Sequence, residues 1–298
     1  MGSLIDVYTD KKKQITEKQK GNTMRAFVLS GGANYGAQQV GALEVLFELG
    51  IQPDMVMGVS AGGLNAAWVA AHPTLEGAQE LSRIWREDAA AIAPPVGPLT
   101  TLLRLIGGKD SLLSNDSLGQ FLRRWPFADS VFGDFTRPRL YAVAARYDDG
   151  ALRIFGDDPS DRLLDGLMTT TAMPPFYPPW EVDGVLYLDG GVTSHLPLLA
   201  AVERGATEIF ALRNGHSFMP GAAPPQRNVM SVGAQAVSLM VQRQVQLEIE
   251  VVQRDRSVHL HLIDLHSDDD PGLWNFTRAA ELIAAGRRIA QAYCQTAL

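Results

Sequence analysis

The first part of the chain alternates short apolar runs with segments whose apolar residues share one helical face. The run 26–30 is followed by the glycine pair Gly31-Gly32, as expected for a buried strand that enters a glycine loop. A helix that ends at Gly50 is predicted from the apolar positions Val40, Leu43, Leu46, Phe47 and Leu49. A second apolar run near Met55 leads through Ser60 into an alanine-rich helix.

The rest of the chain continues this alternation. Further apolar runs predict strands at 139–147, 151–155, 185–188, 208–212 and 258–265. Helical spacing predicts helices at 75–90, 118–125, 161–170, 232–252 and 274–293. The first two of these strands flank Asp148-Asp149-Gly150, a strong hairpin signal. Two apolar, proline-containing stretches, 94–108 and 173–180, are predicted to line or cover a cleft.

Alternating strands and helices predict an α/β fold, with a mostly parallel central sheet sandwiched by helices. In such a sheet, catalytic groups cluster beyond the carboxyl ends of the strands. The length of 298 residues fits one large domain or two small ones, and we expect a single domain over residues 24–298. Residues 1–23 are polar and lysine-containing, and are predicted to be a flexible lead.

Composition narrows the class of partner. The 33 acidic and 26 basic residues give a net charge of −7, which argues against a nucleic-acid binder. No apolar run is long enough for a membrane span, while peripheral contact with a membrane stays open. The single cysteine, Cys294, excludes an internal disulfide. Together with the lack of a secretory signal, it predicts a cytoplasmic location.

The candidate chemistry begins at residues 58–62, Gly-Val-Ser-Ala-Gly, which match the G-x-S-x-G nucleophile motif. An apolar run precedes the motif and an alanine-rich stretch follows it, so Ser60 lies at a strand-to-helix turn. A Cβ at Gly58 or Gly62 would crowd the neighbouring strand or helix. We therefore interpret Ser60 as a nucleophile, with a purely structural turn as the alternative.

A serine hydroxyl attacks only when a base accepts its proton, and Asp189 is the best candidate for that base. It ends the predicted strand 185–188 and precedes Gly190-Gly191. We expect its carboxylate to lie at the carboxyl edge of the sheet, beside Ser60. The alternative is a turn aspartate that accepts hydrogen bonds from its own backbone.

Acyl transfer also needs donors for the oxyanion that forms on the carbonyl oxygen. The segment 31–36, Gly-Gly-Ala-Asn-Tyr-Gly, follows the first strand and can supply backbone N–H groups at the start of a helix. We expect Gly31, Gly32 and Ala33 to form this oxyanion hole. A phosphate loop is the alternative, but neither the Walker nor the dinucleotide pattern is present.

These segments resemble the patatin-like phospholipase family of serine lipid acyl hydrolases over about residues 24 to 294. The family's oxyanion segment matches 31–36, its elbow matches 58–62, and its Asp-Gly-Gly matches 189–191. The stretch 170–179 looks like the segment that precedes the family's catalytic aspartate. Four matches in the same order make chance coincidence improbable.

The resemblance implies a three-layer patatin-like architecture and a Ser-Asp dyad of Ser60 and Asp189. Five glycines would support the elbow and the loops: Gly36, Gly58, Gly62, Gly190 and Gly191. The implied substrate is a phospholipid or another fatty-acyl ester, met through transient membrane contact, with no metal, cofactor or nucleic acid. No protein partner is indicated.

Two departures from the family pattern bear on substrate choice or rate. Ala33 and Tyr35 replace a usual third glycine and a basic residue, and His195 stands where asparagine is common. An alanine fits this loop if its φ is negative.

Other functions stay open: a Ser-His-Asp triad, a catalytically idle lipid-binding scaffold, and an acyltransferase. The histidines downstream that could complete a triad are His195, His216, His259, His261 and His266. His259 and His261 alternate on one strand face, which we expect to be exposed. The acidic triplet 268–270 lacks the EF-hand spacing and is interpreted as a solvated loop.

Overall fold

The computed structural model describes residues 23–88, 111–214, 229–266 and 272–298. Four sequence-based predictions lie outside these ranges: the flexible lead up to residue 22, the stretch 94–108, His216 and the acidic triplet 268–270. Among the described residues, no helix combines the length and the apolar character needed to cross a bilayer.

One eight-stranded sheet organises the described residues. Its strands are β1 Arg25–Leu29, β2 Met55–Gly58, β3 Arg139–Arg146, β4 Leu152–Phe155, β5 Trp180–Val182, β6 Val185–Asp189, β7 Glu208–Asn214 and β8 His259–Leu265. Their spatial order is β5-β6-β3-β2-β1-β7-β8, and β4 also pairs with β3. The pairs that involve β1, β2, β7 and β8 are all parallel. The β3–β4, β3–β6 and β5–β6 pairs are antiparallel.

Helices cover both faces of the sheet. They are α1 Gly36–Glu48, α2 Ala61–Ala71, α3 Leu75–Glu87, α4 Asp116–Leu122, α5 Leu163–Thr170, α6 Leu198–Glu203, α7 Val229–Arg254 and α8 Ala279–Ala297. Alternate residues of β1 point to opposite cores: Phe27 packs with α1 to α5 and α8, whereas Val28 packs with α6 and α7. Burial on both faces explains why β1 is a continuous apolar run.

The predicted mostly parallel, helix-flanked architecture is confirmed. The hairpin is confirmed too, because β3 and β4 pair around residues 148–150. Two short elements were not predicted: β5 lies at the end of the stretch assigned to a cleft, and α6 was missed. Three and six residues are too few to show a period. The last helix begins at Ala279 and not at residue 274, after a 3₁₀ turn at Phe276–Arg278.

The strand that carries Asp189 runs against the parallel part of the sheet. β6 is antiparallel to β3, yet its last residue, Asp189, lies at the edge where β1 and β2 end, where its carboxylate was expected. Asp189 reaches the level of the serine turn because it pairs with Ala144, two residues beyond the position level with Gly58. Strand register, and not a shared strand direction, brings the two together.

Candidate active site

Ser60 occupies a strained turn between β2 and α2. Its φ of 56° and ψ of −127° lie in a region that residues with a Cβ rarely adopt. A Cβ on Gly62 would lie 2.5 Å from the carbonyl oxygens of Leu29 and Ser30, and one on Gly58 would collide with the Gly62 carbonyl. The two glycines therefore allow the close approach of strand and helix that this turn needs, as the motif predicted.

Thr170, the last residue of α5, holds the turn from outside the motif. Its Oγ1 accepts a hydrogen bond from the Ser60 N–H at 3.0 Å and donates one to the Val143 carbonyl at 2.5 Å. The hydroxyl thus links the elbow to β3, and Thr170 is fully buried. Sequence reasoning assigned Thr170 no role, although it opens the stretch that resembles the family's segment before the aspartate.

Asp189 lies buried beside Ser60, with 3% of its surface exposed. Oδ1 accepts a hydrogen bond of 2.7 Å from the Gly191 N–H, while Oδ2 has no partner at full hydrogen-bond distance among the described residues. Burial raises the pKa of Asp189 to about 7, against the lowering effect of the Gly191 N–H and the nearby Ser60 hydroxyl. A carboxyl with this pKa is much more basic than an ordinary aspartate.

The glycine loop offers two candidate oxyanion donors. The Gly31 N–H already donates to the His195 carbonyl at 3.2 Å. Contrary to the prediction, Gly31 therefore does not present a free donor. No hydrogen bond from the N–H of Gly32 or Ala33 is found within the described ranges, and both residues line the cavity at Ser60. Ala33 has a φ of 45°, contrary to the expectation of a negative value, so the loop holds an alanine in a strained conformation.

His195 borders the same cavity. A Cβ on Gly31 would lie 2.8 Å from its Cε1, which shows how closely the imidazole packs on the glycine loop. Burial lowers the pKa of His195 to about 4, although a hydrogen bond to the Gly31 backbone acts in the opposite direction. The imidazole is therefore neutral near pH 7 and a weaker base than Asp189.

Helix α7 supports the segment that follows Asp189. Glu248 accepts hydrogen bonds from the Ser194 hydroxyl at 2.5 Å and from the Leu199 N–H at 3.1 Å, and Gln244 accepts one from the His195 N–H at 3.1 Å. Burial raises the pKa of Glu248 to about 7, against these donors. Neither side chain was singled out from the sequence, where each is one more polar residue on a long helix.

Ser60, Asp189, His195 and the glycine loop surround one cavity. Its complete lining is Gly32, Ala33, Ser60, Met173, Asp189, His195, Ser238, Val241, Gln242 and Leu273. The proposed nucleophile, base and oxyanion donors thus share a single space, and α7 forms part of its wall. Met173 comes from the stretch 173–180 that was predicted to line a cleft.

Two of the other histidines are far from this cavity. His259 and His261 belong to the start of β8, where Glu208 at the start of β7 pairs with His259, so they lie at the opposite edge of the sheet. His261 is buried, contrary to expectation, and stacks on Phe210 at 4.2 Å between ring centroids. No group of three metal-binding side chains occurs in the part of the chain that the structure describes.

The fold and the cavity define an α/β protein with a serine elbow, a buried carboxyl group and backbone donors in one place. The chain belongs to the Patatin-like phospholipase family, whose profile matches residues 27–202. It is 29% identical over 191 residues to patatin-like phospholipase domain-containing protein 7 of Rattus norvegicus. It is 28% identical over 196 residues to Neuropathy target esterase sws of Drosophila melanogaster. These matches cover 64% and 65% of the chain, which spans 13% of the length of each relative.

A solved structure shares the fold. VipD from Legionella pneumophila matches 93% of this chain and 67% of its own, with a TM-score of 0.51 and 14% sequence identity. At this identity the match supports the fold alone, and it agrees with a sheet flanked by helices. The resemblance inferred from four short segments is confirmed by the family match.

Proposed function

We propose that the protein is a serine acyl hydrolase that cleaves fatty-acyl esters through a dyad of Ser60 and Asp189. The observation that carries this proposal is the contrast between two groups in the cavity. The Asp189 carboxyl, with a pKa of about 7, is suited to accept a proton at neutral pH, whereas the His195 imidazole, with a pKa of about 4, is not. The Ser60 hydroxyl also acts directly on the carboxyl, by lowering its pKa.

In the proposed reaction, ionised Asp189 accepts the Ser60 proton while Oγ attacks the acyl carbonyl carbon. The carbonyl π bond breaks, and the resulting oxyanion accepts hydrogen bonds from the N–H groups of Gly32 and Ala33. The tetrahedral intermediate collapses, and Asp189 passes the proton to the departing alkoxide. Water, deprotonated by the same carboxylate, then attacks acyl-Ser60, and the returning proton restores the Ser60 hydroxyl as the fatty acid leaves.

The substrate class is proposed from the family and from the relatives' names, which describe a phospholipase and an esterase. A glycerophospholipid, a lysophospholipid or a related ester carries the bond that this chemistry cleaves. We propose a cytoplasmic location with peripheral contact at a lipid surface, a setting in which the free thiol of Cys294 stays reduced.

Three variants test the dyad. Ser60→Ala and Asp189→Asn should each lower kcat/KM for a short-chain ester by about a thousandfold or more, because each removes a reacting group. His195→Asn should keep at least about a tenth of the activity, since its imidazole is not the base. Labelling by a fluorophosphonate probe should occur in the wild type and be lost in Ser60→Ala.

The second candidate is a triad, favoured by the presence of His195 in the same cavity. A loss in His195→Asn as large as that in Asp189→Asn would establish the triad and overturn the dyad. A folded wild-type protein that neither hydrolyses esters nor reacts with the probe would exclude both, and would leave the lipid-binding scaffold.

A further inference from the structure

Helix α7 carries apolar residues on two opposite faces. The inner face packs against the sheet and the cavity through buried or partly buried positions: Ser238, Val241, Val245, Glu248, Ile249 and Val252. The opposite side presents exposed large apolar residues at Val232, Leu239, Met240 and Leu247, a spacing that keeps them within one helical face. We call these four residues the outer stripe. A surface helix normally places polar residues on the side away from the core.

Exposed apolar residues concentrate on this helix. In the described ranges, eleven large apolar side chains are exposed, and five of them belong to α7: the outer stripe and Val237. Leu239 and Met240 are 54% and 71% exposed. Residues 229–242 contain no charged side chain, and the charged residues that follow on the same face, Arg243 and Glu250, form an ion pair at 3.6 Å. An apolar concentration of this kind marks an interaction surface more often than a solvated one.

The outer stripe adjoins the candidate active site. Ser238, Val241 and Gln242 line the cavity around Ser60, and Leu239 and Met240 lie between them in sequence. One turn of α7 therefore faces the reaction centre on its inner side and presents apolar side chains on its outer side. A ligand bound to the outer stripe would lie one helix diameter, roughly 10 Å, from the cavity wall.

We propose that the outer stripe of α7 binds the apolar surface of aggregated lipid and brings the cavity to its substrate. This inference rests on the proposed acyl-hydrolase function, because a fatty-acyl ester resides in such aggregates. The lack of charge over residues 229–242, and the pairing of Arg243 with Glu250 beside them, match an apolar interface and not an anionic headgroup array. Contact with the aggregate buries the exposed leucine and methionine side chains, and this burial drives binding.

The test measures sedimentation or flotation of the protein with phosphatidylcholine vesicles. The double variant Leu239→Ser, Met240→Ser should lower the partition coefficient by about tenfold or more. Leu49→Ser is the matched control, because Leu49 is 55% exposed but lies just after α1, outside the outer stripe. This control should bind as the wild type does. Because Arg243 and Glu250 leave this face without net charge, binding should also change little between low and high salt.

A second measurement separates binding from catalysis. Ser60→Ala should bind vesicles as the wild type does, even if the proposed hydrolase function fails. The double variant should hydrolyse a monomeric short-chain ester normally and lose activity on vesicles, because Leu239 and Met240 do not line the cavity. Equal binding by the wild type and the double variant would overturn the proposal. So would a wild-type dimer that the double variant converts to monomers in analytical ultracentrifugation, since the outer stripe would then join two copies.

Discussion

The two parts of the candidate site are held in different ways. The elbow at Ser60 is fixed mainly by backbone: Gly58 and Gly62 allow strand and helix to touch, and one hydroxyl, from Thr170, accepts the Ser60 N–H. The segment that follows Asp189 is fixed by side chains, because Gln244 and Glu248 of α7 accept hydrogen bonds from its residues 194, 195 and 199.

This difference concerns how strongly each part tolerates change. Backbone contacts leave no room for even a methyl group, so the elbow should fail abruptly when altered. The hydrogen bonds that the buried Glu248 carboxyl accepts depend on its protonation. The stability of the segment after Asp189 should therefore vary with pH. The nucleophile and its proposed base thus depend on different kinds of interaction.

The largest effect is expected at the elbow. In Gly58→Ala, the new Cβ meets the Gly62 carbonyl, and neither backbone segment can move without disrupting β2 or α2. We expect a loss of more than about 4 kcal/mol in the free energy of unfolding and no measurable esterase activity. Thermal and urea unfolding measure the first, and a short-chain ester assay measures the second.

Gly233→Ala is the matched control, because a Cβ at that helical position meets no atom of the described residues within 4 Å. It should change the free energy of unfolding by no more than about 1 kcal/mol, in the stabilising direction, since alanine favours helix. If Gly58→Ala and Gly233→Ala proved equally stable and active, the elbow would not be fixed by close backbone approach.

The Asp189 segment should respond to a change of charge at Glu248. Its raised pKa of about 7 means that the folded state binds a proton which the unfolded state, with an ordinary pKa near 4.5, releases. Stability from this group is therefore present at low pH and is lost as pH rises from about 4.5 through about 7. Glu248→Gln has no such titration. The free energy of unfolding of the variant, relative to that of the wild type, should therefore increase by roughly 2 to 3 kcal/mol as the pH rises from 5 to 8.

The same variant separates the two buried carboxyl groups. Asp189 must be ionised to act as the base, so kcat/KM should rise with pH through about 7. This rise of kcat/KM with pH should persist in Glu248→Gln, because the amide can still accept a hydrogen bond from the Leu199 N–H and donate one to the Ser194 hydroxyl. If the rise of kcat/KM with pH disappeared in Glu248→Gln, the titrating group would be Glu248, and our assignment of Asp189 would be contradicted.

The elbow could be predicted from the sequence because the residues that determine it are adjacent in the chain. A glycine two residues either side of Ser60, between an apolar run and an alanine-rich stretch, defines the turn without reference to the rest of the chain. The parallel strands β1, β2 and β7 could be predicted equally well, since burial on both faces gives each of them an apolar run.

The hydrogen bonds that support the site could not be predicted, because the residues that they join are remote in sequence. Glu248 lies 54 residues from Ser194, and Thr170 lies 110 residues from Ser60. Strand direction could not be predicted from the sequence either: Asp189 was expected at the edge beside Ser60, but nothing in its own strand indicates the antiparallel register with β3 that places it there. Ala33 shows a further limit, since its positive φ follows from the packing of the loop and not from its residue type.

The smallest effect is predicted for Thr170, whose hydroxyl adds side-chain support to the elbow by linking it to β3. Thr170→Val keeps the shape but leaves the Ser60 N–H without its acceptor and removes the donor to Val143. We expect a loss of about 1 to 3 kcal/mol in the free energy of unfolding and a fall in kcat of about tenfold. Thr170→Ser retains the hydroxyl and should keep most of the activity. If valine matched serine in kcat, the glycines alone would hold the nucleophile, and the elbow would depend on backbone contacts without any side-chain support.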